Sequence, residues 1–266
     1  MNTEFGRVVQ AVAMAILGVG ALESAAGECR LESTAHRVTV MELYTSEGCS
    51  SCPPADRWLS SLQHQGISPG KAVLLAFHVD YWNQLGWPDR FSQSRFSDRQ
   101  RDVATRERSR VIYTPQFTVD GRNFRQRYDL ETLRGKLAAI NREQAKAGIR
   151  ADIHVSATEV RVEGEVEVFS PSGGKGTQIW IALYENGLSS RVTAGENAGT
   201  RLDHDFVVRD LAGPVHAGAD GLAKLKHRLR LQADWNPDRM GIAVFAERSD
   251  TGEILQSTAN YPLCAS

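Results

Sequence analysis

The rhythm of hydrophobic and polar positions changes about halfway along the chain. Between Arg37 and Tyr44, β-branched and apolar side chains follow closely enough to predict a strand, which Thr45-Ser46-Glu47-Gly48 breaks. Trp58, Leu59 and Leu62 then recur at helical spacing behind Pro53 and Pro54. Prolines fit there because the N–H groups of a first helical turn have no intrahelical partner. Ala72 to Val79 is almost unbroken apolar sequence, as in a strand buried on both faces. From Asp89 to Arg110 arginines alternate with acids and no glycine occurs, which predicts a solvated helix with Phe91, Phe96 and Val103 turned inward. Phe117 to Val119 reads as a strand, Asp120-Gly121 as a hairpin turn, and Asn123 to Arg127 as the returning strand. Leu130, Leu133, Leu137 and Ile140 lie on one face of a closing helix.

Beyond Gly148 the period shortens to two. Ile153 and Val155, Val160 and Val162, and Val166 and Val168 alternate with polar residues, and further strands are expected over 178–184, 203–208, 223–231 and 240–247. Turns at Glu185-Asn186-Gly187 and Asp250-Thr251-Gly252 separate some of them. Many short strands without a helical stretch predict an antiparallel sandwich. No set of His, Cys and carboxylates in this half forms a defensible site, so covering or binding is its expected task.

At the opposite end, Arg7 precedes the apolar run Val8 to Leu22, and the small residues Ser24, Ala25 and Ala26 follow. That layout predicts a signal peptide over 1–26, and the run is shorter than the roughly 20 apolar residues of a membrane span. An uncleaved anchor is the competing reading. The organisation expected is therefore a signal at 1–26, a mixed α/β unit at 37–147 and a β-rich unit at 150–264. A secreted or periplasmic chain meets oxidants that let disulfides persist, so each cysteine gains weight. With 31 basic and 32 acidic side chains the net charge is −1. That balance argues against a nucleic-acid or anionic-membrane partner held by bulk charge.

Four cysteines are present: Cys29, Cys49, Cys52 and Cys264. The C-x-x-C spacing of Cys49 and Cys52 suits a small disulfide ring at the start of a helix. It would also serve as half of a zinc site, but neither a second C-x-x-C nor an H-x-x-x-H supplies the other half. Pro53 stands where haem attachment needs a histidine. Redox use is the leading reading. Cys49, expected exposed at the helix mouth, is the predicted nucleophile, because such a position lowers a thiol pKa from about 8.5 into a range of about 3.5–7.5. Cys52 is the predicted resolving thiol. Strand, helix and strand in this order put the cysteines at the carboxyl end of the first strand, where open α/β sheets carry their sites. His78 and Asp80 occupy the matching end of the second strand. His78 reads equally as a satisfied core histidine, and the aromatics Tyr81, Trp82 and Trp87 as a loop beside the site or as packing. Thr114 and Pro115 open the next strand; a cis bond between them would leave the Thr114 backbone free to pair with an extended substrate and set the Pro115 ring against the sulfurs. Cys29 and Cys264 bracket the mature chain and form a long-range disulfide, remain free thiols or make an intermolecular link.

The order of elements across 37–147, with C-x-x-C after the first strand and Thr114-Pro115 before the third, resembles the thioredoxin fold. More closely, the runs Leu43–Asp56, Phe77–Trp82 and Tyr113–Gln116 are similar to a family of secreted, thioredoxin-like proteins classed as a domain of unknown function, over nearly the whole mature chain. The resemblance implies an α/β thioredoxin-like domain followed by an all-β sandwich-like domain. It supplies no activity. This chain departs from ordinary thioredoxins in having Ser50-Ser51 between the cysteines, a pair that tunes reduction potential. Leu43 stands where thioredoxins carry a buried acid, and Glu42, one residue away, belongs to the opposite face of a strand. Either Glu42, Asp80 or water serves the resolving thiol, or nothing does.

The function expected is a secreted or periplasmic thiol–disulfide oxidoreductase with Cys49 and Cys52 as its redox-active centre. Thr114 and Pro115 would shape the docking groove, and the chemistry requires no cofactor or metal. Its partner would be a protein or small molecule carrying a disulfide or dithiol, with no membrane span in the mature chain. The alternative, from another class, is a non-catalytic thioredoxin-like protein that binds a partner or a soft cation such as Cu(I) through Cys49, Cys52 and His78.

Overall fold

The computed structural model describes residues 27–170 and 173–264. The expected signal at 1–26 lies outside the described residues. No helix among the described residues is long and apolar enough to cross a membrane.

Among the described residues, three α-helices and fourteen strands follow one another. In order they are β1 (Gly27–Glu32), β2 (Thr39–Thr45), α1 (Pro53–His64), β3 (Ala72–His78), α2 (Ser94–Arg106), β4 (Gln116–Val119), β5 (Arg122–Asn123) and α3 (Leu130–Ile140). Then come β6 (Ala147–Val155), β7 (Glu159–Val168), β8 (Thr177–Glu185), β9 (Leu188–Arg191), β10 (Arg201–His204), β11 (Val207–His216), β12 (Leu222–Arg230), β13 (Met240–Arg248) and β14 (Ile254–Asn260). The strands form an eight-stranded sheet in the order β14-β13-β8-β11-β3-β2-β4-β5, a four-stranded sheet β1-β6-β7-β12, and the separate hairpin β9–β10.

This architecture corrects the expected fold class. Strand makes up 42% and helix 18% of the described residues, so the chain is not an α/β thioredoxin-like domain followed by an all-β sandwich. The eight-stranded sheet takes strands from both 37–147 and 150–264. Its join lies where β11 runs parallel to β3, Val207 opposite Ala76, with Ala76 N–H donating to the Phe206 carbonyl at 2.8 Å. The reason is physical: β3 pairs with β2 on one side only, and its fully buried apolar run would otherwise offer an open edge. The sheet also curls. Val38 N–H donates to Gln256 Oε1 and Ser257 Oγ to the Val38 carbonyl, each at 2.8 Å, so β14 returns beside the start of β2.

Period-two alternation divides the strands between two cores. On β8, Ile179, Ile181 and Leu183 face the four-stranded sheet, whereas Ala182 and Tyr184 face the helices. β13 does the same with Ile242, Val244 and Ala246 on one side and Ala243 and Phe245 on the other. Strands covered on both faces explain why 240–247 is buried throughout. The helical side is completed by Ala55, Leu59 and Leu62 of α1, Phe96 and Val103 of α2, and Leu133, Leu137 and Ile140 of α3. The charged helix is thus not wholly solvated, for Arg99 and Gln100 are buried on the same face.

Candidate functional site

The carboxyl end of β2 leads through Ser46, Glu47 and Gly48 into the cysteine pair. Cys49 and Cys52 are joined by a disulfide with their Cα atoms 5.4 Å apart. Cys52 is the N-cap of α1 and Cys49 precedes it by a turn, with Cys52 N–H donating to the Cys49 carbonyl at 3.1 Å. Ser50 and Ser51 are exposed between them.

Cys49 does not stand open at the helix mouth as expected: both cysteines are 0% exposed. Part of the packing around the motif comes from the far half of the chain. The loop joining β9 to β10 lays the buried Asn197 across the motif, where its Nδ2 donates to the Glu47 carbonyl at 2.8 Å and the Cys49 carbonyl at 3.0 Å. Ser50 N–H donates to Glu196 Oε2 at 2.9 Å beside it. Gly48 leaves room for Trp82, since a Cβ there would meet the Trp82 Cβ at 3.2 Å. Trp82 Nε1 in turn donates to Thr114 Oγ1 at 2.8 Å, linking the motif to the next predicted site residue. The Thr114–Pro115 bond is cis, and Pro115 is buried. Pro115 lines a groove of about 730 Å³ with Tyr113, Phe117, Phe124, Arg127 and Tyr128. Trp58 of α1 meets Phe117 and Tyr128 edge-on at 4.9 and 5.7 Å, so the groove adjoins the helix that carries the motif. Neither cysteine is among its lining residues.

The carboxylates considered for the resolving thiol are otherwise engaged. Glu42 accepts from Arg99 at 2.6 and 2.9 Å, from the Tyr44 hydroxyl at 2.8 Å and from Thr118 at 3.2 Å. Asp80 accepts from the Ser97 hydroxyl.

A second group of titratable side chains lies where the motif loop, α1, the end of β3 and the end of β10 meet. Asp89 Oδ2 holds His78 Nδ1 at 2.6 Å, and Glu47 Oε1 holds His204 Nε2 at 3.2 Å. Asp56, four residues after Cys52, accepts from Thr45 Oγ1 at 3.0 Å through Oδ2 and leaves Oδ1 3.7 Å from His204 Nδ1. Burial opposes charge on His204, yet Asp56 and Glu47 outweigh it and raise its pKa to about 10. Burial likewise opposes ionisation of Glu47 and Asp89, but the histidine each one faces keeps both below the usual carboxylate range. His78 therefore belongs to a buried histidine–carboxylate cluster with Asp56, His204, Glu47 and Asp89, partners that sequence reasoning missed. The signal for Asp56 was present: it shares the inward side of α1 with Ala55, Leu59 and Leu62, and a buried carboxylate needs a reason. For His204 the alternation of β10, with Leu202 and His204 inward, was the only clue.

The model of one protein family, described as "Protein of unknown function (DUF1223)", matches residues 40–247. Two solved structures resemble this one. Protein AGR_C_4864 from Agrobacterium tumefaciens is 24% identical with a TM-score of 0.61, the match covering 88% of this chain and 97% of that one. HBP35 of Porphyromonas gingivalis is 13% identical with a TM-score of 0.64, over 86% of this chain and 76% of the other. At these identities the likeness is one of fold alone. No curated protein matches.

Proposed function

This chain belongs to the family described as Protein of unknown function (DUF1223), and we propose that it is a thiol–disulfide oxidoreductase whose working pair is Cys49 and Cys52. One observation carries the reading: the two sulfurs are bonded to each other across a single turn at the carboxyl end of β2, with the second cysteine capping α1. A dithiol that closes into so small a ring exchanges readily, since both sulfurs lie within reach of one incoming sulfur. In the reducing direction the Cys49 thiolate attacks one sulfur of a substrate disulfide, forming a mixed disulfide and expelling one substrate thiolate. The Cys52 thiolate then attacks the Cys49 sulfur, which breaks the mixed disulfide, expels the second substrate thiolate and leaves Cys49 bonded to Cys52. Two electrons pass to the substrate, and each departing thiolate takes up one proton from solvent. The reverse sequence oxidises a dithiol.

Access requires the packing around Cys49 to open, and the β9–β10 loop, held to the Cys49 carbonyl by Asn197, is the segment proposed to move; Pro115 with the groove beside it gives an extended client a surface next to α1. The second disulfide, Cys29–Cys264, supports placing this chemistry in a secreted or periplasmic compartment.

The test is made with the full chain and glutathione disulfide. Reduced wild-type protein should release two glutathiones and end with Cys49 bonded to Cys52. Reduced Cys52→Ser should stop at one glutathione released and one retained on Cys49, and Cys49→Ser should retain none. A reduced, folded protein whose Cys49 takes up neither glutathione nor iodoacetamide would make the pair a structural staple and end the proposal.

A further inference from the structure

Beneath the cysteine motif, two imidazoles present free nitrogens to one carboxylate. His78 is 0% and His204 3% exposed, and neither His78 Nε2 nor His204 Nδ1 makes a hydrogen bond. A buried polar nitrogen without a hydrogen bond costs about 1–3 kcal/mol, and two facing one carboxylate, the nearer still 3.7 Å from it, call for an explanation. One donor atom each from Asp56, His78 and His204 lies within 4.8 Å of the other two.

We propose that Asp56, His78 and His204 form a buried site for one divalent transition cation, held by Asp56 Oδ1, His78 Nε2 and His204 Nδ1. Three features beyond the ligand triad support it, and none involves the cysteines. The first is orientation. The atom of each ligand that faces away from the shared space is already held: His78 Nδ1 by Asp89, His204 Nε2 by Glu47 and Asp56 Oδ2 by Thr45. A carboxylate on the far nitrogen of a ligating histidine is the usual outer support of a metal site, fixing tautomer and ring direction. The second is charge. Glu47, Asp56 and Asp89 are all at least nine-tenths buried, and their ion-pair partners among the described residues are His78 and His204 alone, with no lysine or arginine. Even with His204 carrying a proton, three buried carboxylates beside two imidazoles keep a negative surplus; a divalent cation would displace that proton from Nδ1 and add one further positive charge. The third is scaffold: the ligands come from the first turn of α1, the end of β3 and the end of β10, so one cation would tie three elements together.

The donor set selects the ion. Two nitrogens and one oxygen suit zinc and its borderline neighbours over calcium or magnesium, which prefer oxygen alone. Tetrahedral bonds of about 2.0–2.1 Å set ligand atoms roughly 3.3 Å apart, so the 3.7 Å between His204 Nδ1 and Asp56 Oδ1 needs a small contraction, and a cation would draw the whole triad in from within 4.8 Å. The triad leaves a fourth tetrahedral position for water or another donor.

The experiment titrates Zn²⁺ into chelator-treated full-length protein with both disulfides intact, so that no thiolate can bind the metal. A failure here leaves the glutathione test untouched, and the reverse. One equivalent should bind and raise the melting temperature. Asp56→Asn and His204→Gln should lose the binding by at least 100-fold, and Glu47→Gln should weaken it about 10- to 100-fold, the usual effect of removing outer support. Because the first two variants alter a buried cluster, a second measurement uses the wild type alone: X-ray absorption of the zinc-loaded protein should show a nitrogen and oxygen shell with two imidazoles. No saturable binding at one equivalent, binding that survives in both Asp56→Asn and His204→Gln, or a shell without imidazole would each overturn the site.

Discussion

Arg99 shows how one side chain binds distant parts of the molecule. It is 6% exposed, and its guanidinium donates to Glu42 on β2 at 2.6 and 2.9 Å and to Glu247 on β13 at 2.8 and 3.3 Å. Burial disfavours its charge, but the two glutamates raise its pKa well above the ordinary arginine value. The rings of Trp180, Phe245 and Phe77 lie 5.2–5.7 Å from the guanidinium carbon. Removing one partner of such a cluster strands the others without solvent or counter-charge, which costs about 3–5 kcal/mol. Arg99→Met should therefore lower unfolding free energy by about that much in urea denaturation, and Arg99→Lys by less, since an ammonium keeps the counter-charge although it cannot span both carboxylates. Equal stability of Arg99→Met and wild type would refute this account of the cluster. The sequence hid the residue among alternating charges, yet Phe96, Arg99, Gln100 and Val103 stand at i, i+3, i+4 and i+7. Polarity suggests exposure there, but the helical period is the better guide.

At the level of elements, the hairpin β9–β10 matters most and was the least visible. The sequence suggests one strand over 203–208, but the chain turns at Asp205 and Phe206, where Phe206 has φ of 59° and Gly187 N–H is held by Asp205. A bulky residue in the left-handed region is not a turn signal that sequence reading anticipates. By contrast the Asp120-Gly121 turn, with φ of 59° and 68°, β3 and α3 were all legible, because each rests on local periodicity or on residues that tolerate positive φ. The cysteine motif was legible for the same reason, while its cover was not, since the cover comes from nearly 150 residues away. If Asn197 holds that cover shut, Asn197→Ala removes two hydrogen bonds and should ease local opening by about 1–2 kcal/mol. Reduction of Cys49–Cys52 by dithiothreitol should then run about tenfold faster in the variant, as 1.4 kcal/mol corresponds to a factor of ten. An unchanged rate would mean that the disulfide is reached from another side.

For the whole molecule, the joins that matter are made late in sequence and early in space. Pairing of β11 with β3 rests on a single residue pair, Val207 with Ala76, and no local pattern announces a partner so far along the chain. The ends are fastened in a different way. Cys29 on β1 is bonded to Cys264, 235 positions later, while among the described residues β1 pairs in its sheet with β6 alone. Without the bond, β1 would rely on that ladder, on Leu31, its buried apolar side chain, and on its contact with β14, where Thr258 Oγ1 donates to the Glu32 carbonyl at 3.5 Å. A cross-link over so long a span restricts the unfolded chain by about 5 kcal/mol in the entropic account, and measured losses from native disulfides run at about 2–5 kcal/mol. Cys29→Ala with Cys264→Ala should accordingly lower the melting temperature and expose the amides of β1 to hydrogen exchange before those of β7. The reduction kinetics of Cys49–Cys52 should stay unchanged, because the bond at the ends touches neither the motif nor the hairpin above it. Loss of stability spread evenly over both sheets, or a shift in those kinetics, would show that the terminal disulfide supports the whole molecule and not one edge of it.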